Sequence, residues 1–370
     1  MKIICQKTNL LDAIQIVQKA VSTKSTIPIL GGIYINAKDG ILELQSNDYE
    51  TAIKCSLPVQ VITNGTTVLA ARYFSDIIRK LPGETVEISS ATENTTITIK
   101  SEGARFNLVC LPHEEFPIVQ TIEANNKYQI PENLFKNIIR QTTFACSQDD
   151  TRPVFTGVLC EIEGNRINMV ATNTHRLSFR NAEIGNTNNN PLKVIIPSKF
   201  LNELGKILSV ESENSVDICW NQNKMAFNFR GIYMETHLIE GQFPNYQQVI
   251  PKNFKSEVII ATNLLADAVE RASLLTRDGD YNVIKIDIDT DKVTVTSNNP
   301  EVGAGYEEAS AKTSGENITI AFNARYILDV LKIIDAPEIS FSFTSPLTPA
   351  TIKSLEKEQY MYVITPVRTN

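Results

Sequence analysis

The sequence predicts an α+β protein built from three tandem copies of one module, each with two helices packed on antiparallel sheets. Helix-like apolar runs headed by Phe74, Phe200 and Tyr326 recur 126 residues apart (200 − 74 and 326 − 200). Each run follows a stretch that alternates apolar and polar residues across a short turn, as paired antiparallel strands do. Similarity at a fixed spacing indicates one unit repeated three times, not three unrelated domains.

The first elements of each copy are a short strand and an amphipathic helix. In copy one, Asn9 is predicted to cap a helix whose apolar stripe begins at Leu10, because an Asn side chain can accept from the first free N–H groups. The corresponding stripes of copies two and three begin at Leu134 and Leu264.

The next element is a hairpin that is led by glycine in copies one and two. Its sequences are GGIYINAKDGILELQSND at 31–48, GVLCEIEGNRINMVATNT at 157–174 and VIKIDIDTDKVTVTSNN at 283–299. Asn47, Asn173 and Asn299 are predicted to end these hairpins at equivalent positions, since they also lie 126 residues apart (173 − 47 and 299 − 173).

A further strand leads into the second helix, which is predicted to start at Phe74, Phe200 or Tyr326. More strands follow, and copies one and two close with Phe116-Pro117 and Phe243-Pro244, where a proline after a polar loop indicates a linker. The predicted domains are therefore residues 1–121, 127–250 and 251–370.

Composition excludes several classes of protein. The hydrophobic fraction of 42% is ordinary for a globular chain, and no apolar run approaches the roughly 20 residues that span a bilayer. The six cysteines include no CxxC pair, so we expect reduced, buried thiols and neither a disulfide nor a metal site. We expect a cytoplasmic protein without a cofactor or a membrane partner.

Charge is informative at particular positions. The chain is acidic, with a formal net charge of −7. Nevertheless, the 126-residue spacing makes Lys80, Lys206 and Lys332 equivalent, and it also aligns Tyr73 with two basic residues, Lys199 and Arg325. A basic helix surface in an acidic protein would attract phosphates without reading bases.

No motif predicts catalysis. The sequence has no P-loop, GxGxxG, HExxH or GxSxG pattern. His175, beside Arg176 at a hairpin end, is the one candidate for a hydrolase or transferase, but no nucleophile partner is evident. Besides a phosphate-binding protein and an enzyme, the sequence allows a repeat adaptor that binds only proteins. That alternative predicts that the equivalent lysines are dispensable.

Several segments together resemble the bacterial DNA polymerase III beta subunits, the sliding clamps. They are TIPIL at 26–30, ATNTHRL at 171–177, FPNYQQVIP at 243–251 and TPVR at 365–368, and the similarity runs over the whole chain. The resemblance implies a head-to-tail homodimer, a closed ring of six domains with helices lining the hole. Such a ring encircles duplex DNA without sequence specificity and tethers the polymerase, which confers processivity without catalysis.

The resemblance also implies site residues. Lys24, Arg72, Gln148 and Lys199 match or conservatively replace family positions that contact DNA, and they join Lys80, Lys206 and Lys332 in the predicted DNA-binding set. Ring closure implies dimer contacts through Ile77, Arg105, Phe106, Leu274 and Leu275.

The family also has a cleft for short linear peptides of the polymerase III alpha subunit, the clamp loader and repair proteins. Apolar side chains form its pocket, while His175 and Arg368 supply donors for a peptide backbone or a glutamine. Here the family's methionines that flank the tail proline are replaced by Thr365 and Val367. Carried over to this sequence, the predicted cleft comprises Phe155, Thr172, His175, Arg176, Leu177, Pro244, Val249, Asn323, Tyr326, Val363, Pro366, Val367 and Arg368.

Overall fold

The structure is a computed structural model that describes residues 1–22, 26–90, 95–122, 127–185, 190–276, 282–355 and 360–368. The chain forms two compact units, Met1–Asn133 with Lys206–Leu238 and Leu134–Gly205 with Ile239–Asn370. No helix in the described ranges is both long and apolar enough to cross a membrane. The described residues contain six α-helices, which are α1 Lys7–Val17, α2 Ala71–Lys80, α3 Glu132–Thr143, α4 Ser198–Ile207, α5 Thr262–Ser273 and α6 Ala324–Leu331.

The first unit contains two antiparallel sheets. One has five strands in the order β5-β1-β7-β8-β9. Its strands are β1 Lys2–Gln6, β5 Gln60–Thr63, β7 Thr85–Ser90, β8 Thr96–Ser101 and β9 Ala104–Val109. The other has eight strands in the order β10-β15-β16-β17-β4-β3-β2-β6. Its strands are β2 Gly32–Lys38, β3 Ile41–Asn47, β4 Thr51–Pro58, β6 Gly65–Ala70, β10 Lys127–Pro131, β15 Ser215–Trp220, β16 Lys224–Phe229 and β17 Ile232–His237.

The second unit also contains two sheets. One has nine strands in the order β14-β11-β12-β13-β26-β25-β24-β18-β22. Its strands are β11 Gly157–Glu163, β12 Arg166–Thr172, β13 Arg176–Glu183, β14 Leu192–Pro197, β18 Ser256–Ala261, β22 Lys312–Gly315, β24 Glu338–Phe343, β25 Ala350–Ser354 and β26 Tyr360–Ile364. The other has four strands in the order β21-β20-β19-β23. Its strands are β19 Val283–Asp289, β20 Lys292–Asn299, β21 Gly303–Ser310 and β23 Ile318–Asn323.

The two large sheets join successive copies of the module. In the first unit, β4 of copy one pairs with β17 of copy two, and in the second unit β13 of copy two pairs with β26 of copy three. The joined strands have the same places in their modules, because β4 and β13 each complete the hairpin region and β17 and β26 each end a copy. Adjacent copies are therefore linked by one recurring strand pair.

The first helix of each copy is capped by a backbone carbonyl. The N–H groups of Lys7, Glu132 and Thr262 donate to the carbonyls of Glu84, Asn214 and Pro337 at 2.7, 2.9 and 2.9 Å. The predicted cap at Asn9 is therefore wrong. The strand runs directly into the helix at Lys7, and the cap comes from a segment distant in sequence, which side-chain propensity cannot reveal.

The second helices begin earlier than predicted, at Ala71, Ser198 and Ala324 instead of Phe74, Phe200 and Tyr326. The residue before each helix faces the start of its hairpin, in the pairs Gly32–Ala70, Gly157–Pro197 and Val283–Asn323. The offset between the first two helices is therefore 127 residues (198 − 71), and that between the second and third is 126 (324 − 198).

This shift changes which basic residues are equivalent. The second position of the helices holds Arg72, Lys199 and Arg325, so Arg72 and not Tyr73 belongs to that set. The ninth position holds Arg79, Lys206 and Lys332, the last of which directly follows α6. Arg79, and not Lys80, is therefore the counterpart of Lys206 and Lys332. Each of the two positions is basic in all three copies.

The hairpin ends also differ by one residue from the prediction. The Asp48 carboxylate accepts from the N–H groups of Glu50 and Thr51 at 3.1 and 2.7 Å. The Asn173 amide oxygen accepts from those of His175 and Arg176 at 3.1 and 3.0 Å. Asp48, and not Asn47, is thus the counterpart of Asn173, because the hairpins of copies one and two lie 125 residues apart (173 − 48).

The cores lie between the helices and the inner faces of the sheets. In the second unit, Leu265 and Val269 of α5 and Ile327 of α6 pack with sheet residues such as Phe322 and Phe341. Five of the six cysteines are buried and Cys110 is partly exposed, and all six are free thiols. Burial raises the pKa of Cys5 and Cys55 to about 11 and that of Cys160 to about 12, which keeps these thiols protonated at neutral pH.

Candidate functional site

An apolar cavity of about 290 Å³ lies in the second unit, where copies two and three share a sheet. It brings together eight of the thirteen predicted cleft residues with five that were not predicted. The predicted ones are Phe155, Thr172, His175, Arg176, Leu177, Pro244, Val249 and Val363, and the others are Thr174, Asn245, Tyr246, Pro349 and Thr365.

A small hydrophobic core lies beneath the cavity. Leu177 and Val363 face each other across the β13–β26 pair and are 3% exposed, so they supply its floor. Val249 is 50% exposed and offers apolar surface to a ligand. Leu177 and Val363 are therefore core residues, whereas Val249 is available for contact with a ligand.

Tyr246, from the segment after Phe243-Pro244, fixes one wall. Its ring stacks on Phe179 with centroids 5.9 Å apart, and its hydroxyl donates to Glu161 at 2.9 Å. Burial, followed by the bond to Glu161, raises the pKa of Tyr246 to about 12. These contacts within the protein hold the wall in place before any ligand binds.

The loop between β12 and β13 forms the opposite wall. Thr174 adopts a φ of 77°, a left-handed conformation that is uncommon outside glycine. The Thr172 hydroxyl donates to the Arg176 carbonyl at 2.7 Å and accepts from the Thr174 N–H at 3.2 Å. The His175 carbonyl accepts from both the N–H and the hydroxyl of Thr365, at 2.9 and 2.8 Å. These bonds hold His175 at the rim.

Arg176 does not point into the cavity as a free donor. Its Nη1 donates to Asp329 at 2.6 Å and its Nη2 donates to the Phe144 carbonyl at 2.5 Å. The guanidinium lies 4.5 Å from the ring centre of Tyr326 and 5.4 Å from that of Phe144. Burial lowers the pKa of Arg176, but Tyr362 and Asp329 outweigh this effect and the pKa is raised. Arg176 is therefore a buried cation that ties elements of copies two and three together.

A second and larger cavity of about 1020 Å³ lies beside the first and shares Thr174, His175 and Arg176 with it. Asn323 and Tyr326, which were predicted to line the peptide cleft, line this cavity and not the apolar one. Gln148 and Lys332, which were predicted to contact DNA, also line it.

The remaining predicted cleft residues belong to the tail. Pro366 and Val367 are half-buried, Arg368 is exposed, and none of the three lines either cavity. The N–H of Val367 donates to the carbonyl of Ala321 at 2.8 Å, which places the tail beside β23.

The surroundings of His175 do not resemble a catalytic centre. Its ring stacks loosely on Tyr326, with centroids 6.5 Å apart. Within the described ranges, no hydrogen bond joins the imidazole to a carboxylate or a hydroxyl, and no group of three or more His, Cys, Asp or Glu side chains is arranged for a metal ion. The geometry offers neither an activated nucleophile nor a paired base.

Known proteins resemble this chain over its whole length. The family profiles for the DNA polymerase III beta subunit match at residues 1–120 for the N-terminal domain, 129–245 for the central domain and 247–368 for the C-terminal domain. The beta sliding clamp of Bacillus subtilis is 38% identical over 379 aligned positions, with all of both chains covered. The chain belongs to the DNA polymerase III beta subunit family.

Other relatives agree. A beta sliding clamp of Staphylococcus aureus is 35% identical over 360 positions, with 95% of each chain covered. The crystal structure of the Bacillus subtilis clamp superimposes with a TM-score of 0.96 at 37% identity, with full coverage of both chains. The predicted family and α+β module are confirmed. The protein is a sliding clamp of DNA replication, a processivity factor and not an enzyme.

The predicted DNA-contacting residues of this clamp are distributed along the chain. Arg72, Lys80, Lys199, Lys206 and Lys332 are exposed on or at the ends of the second helices. Gln148 is exposed in the segment after α3, and Lys24 lies outside the described residues. A cation at the second position of a helix opposes the positive end of the helix dipole, at a cost of about 0.3–1 kcal/mol. Arg72, Lys199 and Arg325 each destabilise the start of their helix in this way, and a bound anion would offset that cost.

Sequence reasoning missed several residues of the site. Asp329 and Phe144 hold Arg176, although neither carries a recognisable motif. Tyr246 and Asn245 lie within the segment FPNYQQVIP, so an aromatic residue in a linker was an available signal. Arg79 was missed because the repeat spacing was taken as constant.

Proposed function

We propose that two copies of this chain close head to tail into a ring that encircles duplex DNA in the cytoplasm. The observation that carries the proposal is the recurring strand pair at the junctions between copies. β4 pairs with β17 and β13 pairs with β26, which leaves the third members of each series, β21 and β9, on sheet edges. Pairing β21 of one subunit with β9 of the other completes the series and closes a ring with two-fold symmetry.

The two edges have the surface that such an interface requires. Phe106 and Val109 on β9 are 43% and 78% exposed, and Tyr306 on β21 is 64% exposed. Val302 and Leu274, near β21, are 66% and 56% exposed. Exposed apolar side chains beside an unpaired edge favour burial against another chain.

The five predicted dimer residues fit this arrangement to different degrees. Phe106, Arg105 and Leu274 are exposed, whereas Ile77 and Leu275 are half-buried. Val109, Val302 and Tyr306 belong to the proposed interface although the sequence did not predict them.

DNA contact is assigned to the second helices. Arg72 and Arg79 are seven residues apart, which is nearly two helical turns, so they lie on one face about 10 Å apart. The same holds for Lys199 with Lys206 and for Arg325 with Lys332. A ring that slides needs contacts of this kind, to phosphates and not to bases.

Partner proteins are assigned to the apolar cavity. Its size and apolar lining suit two large apolar side chains of a short peptide, and the exposed His175 offers donors at the rim. We propose that the polymerase III alpha subunit, the clamp loader and repair proteins bind here through linear segments.

Retention on DNA tests the ring. The labelled protein is loaded onto a nicked circular plasmid with its clamp loader and ATP, and it is then passed over a sizing column. We expect retention on the circle and release after a single restriction cut. Equal retention on circular and linear DNA would overturn the topological mechanism.

The basic helix positions have their own test. Replacing Arg72, Lys199 and Arg325 with Gln should reduce the slope of log affinity against log salt by about 0.9 for each phosphate that the variant no longer neutralises. The matched control replaces Lys38, Lys193 and Lys312, one exposed strand lysine in each copy. An equal effect in the control would show that only net charge matters.

A further inference from the structure

The second cavity combines two sets of residues that were predicted to have separate roles. It holds Asn323 and Tyr326 from the predicted peptide cleft together with Gln148 and Lys332 from the predicted DNA set. It lies beside the apolar cavity, and Thr174, His175 and Arg176 form a wall that both cavities share. A peptide seated in the apolar cavity therefore needs to extend only past these three residues to reach the second cavity.

Its charge is unbalanced. Four cations line it, namely Arg152, Arg176, Arg325 and Lys332, together with two carboxylates, Asp149 and Asp329. Asp329 is bound to the buried Arg176. Asp149 accepts from the N–H and the hydroxyl of Thr151 at 2.9 and 2.8 Å, and these bonds, followed by Arg152, lower its pKa.

Arg325 and Lys332 are the cations that remain. Both are exposed, and neither forms an ion pair in the part of the chain that the structure describes. They lie seven residues apart at one end and the other of α6, so both project from the same side of that helix into one cavity. The Tyr326 hydroxyl and the Asn323 amide add neutral polar groups to the lining of this cavity.

We propose that this second cavity binds acidic residues that flank the apolar segment of a partner peptide, with Arg325 and Lys332 as the groups that select for them. The proposal rests on the assignment of the apolar cavity to peptides. It follows from the charge complementarity of two unpaired cations and from the wall that the two cavities share. It implies that an acidic partner and DNA compete for the same two side chains of copy three.

Fluorescence anisotropy tests the proposal with synthetic peptides. The core probe is an acetylated pentapeptide, Gln-Leu-Ala-Leu-Phe, designed to place Leu and Phe in the apolar cavity. Two further probes extend the core peptide by three Glu residues, one at its N-terminus and the other at its C-terminus. Two matched probes carry three Gln residues at the same ends. The protein is the full chain, as wild type, as R325Q/K332Q, and as the control K285Q/K312Q, whose lysines are exposed on strands of the same copy.

We expect one of the two Glu probes to bind wild type about fivefold more tightly than its Gln counterpart at low salt, as two partly exposed ion pairs would give. The advantage should vanish in R325Q/K332Q, persist in K285Q/K312Q and fade in 0.5 M salt, because such pairs are screened. Equal binding of the Glu and Gln probes to wild type would overturn the proposal, as would an advantage that survives in R325Q/K332Q.

Two further outcomes separate the alternatives. Failure of the core probe to bind any variant would remove the peptide function itself, which is a different result from loss of the Glu advantage. A ten-residue oligothymidylate that binds wild type but not R325Q/K332Q, in the absence of any Glu advantage, would overturn the proposal in favour of a nucleic-acid site.

Discussion

The contact between Arg176 and Asp329 should contribute a measurable coupling energy to the second unit. Two unit charges whose atoms are 2.6 Å apart attract by about 6 kcal/mol at an effective dielectric constant near 20. Desolvation offsets much of this, because the Arg176 side chain is only 8% exposed while that of Asp329 is 31% exposed. A coupling of about 2 kcal/mol remains as the expected value.

A double-mutant cycle measures that coupling. Asp329→Asn leaves a buried guanidinium bound only to neutral acceptors and should cost about 2 kcal/mol. Arg176→Met keeps apolar contact with the rings of Tyr326 and Phe144 but removes the charge, at about 3 kcal/mol. The double variant should cost no more than about 3 kcal/mol, well below the sum of the single changes.

Native-state amide hydrogen exchange is the assay, because it reports each strand pair separately. Exchange in β13 and β26 should accelerate in the single variants, while the equivalent pair β4 and β17 in the first unit serves as an internal control. Additive costs in the double variant, or equal acceleration in both strand pairs, would refute the assignment of Arg176 as a tie between copies two and three.

Two other predictions concern pH and the tail. Because the pKa of Tyr246 is raised to about 12, above its unfolded value near 10, its contribution to stability is complete below pH 10 and is lost as the pH rises towards 12. In denaturant titrations between pH 10 and 12, the unfolding free energy of Tyr246→Phe should therefore fall less steeply than that of the wild type, by about 1.4 kcal/mol per pH unit. An unchanged slope would contradict this. Deletion of residues 366–370 should abolish peptide binding in anisotropy assays, because the bond from the Val367 N–H to the Ala321 carbonyl anchors the tail beside Thr365, which lines the apolar cavity. The deletion should leave the dimer. Peptide binding by the deletion variant, or a monomeric product in sedimentation, would contradict this prediction.

Periodicity predicted the repeated module because the physics of each element is local. Apolar stripes such as Leu10 to Val17 and alternating strands identify faces that must be buried, wherever the rest of the chain lies. The caps were not predictable in this way, since the helix at Lys7 is capped by the carbonyl of Glu84. A contact over that sequence separation leaves no signal in the residues around Asn9.

The candidate site was predictable mainly where segments of the sequence resemble the family. ATNTHRL and FPNYQQVIP contain six of the eight predicted residues that line the apolar cavity. Asp329 was not identified, because its role depends on a pairing across copies that no spacing reports. A constant repeat of 126 residues also hid Arg72 and Arg79 as the true counterparts, because the hairpin and helix offsets differ between copies one and two.

A measurement of the mass in solution tests directly whether a ring closes through the edge strands β9 and β21. Sedimentation equilibrium should give about twice the chain mass of 41.2 kDa for the wild type. Phe106→Asp, on β9, should shift the protein to 41.2 kDa, whereas Ile62→Asp, on the opposite edge strand β5 of the same sheet, should not. A monomeric wild type, or a dimer that survives Phe106→Asp and dissociates with Ile62→Asp, would contradict ring closure at these edges.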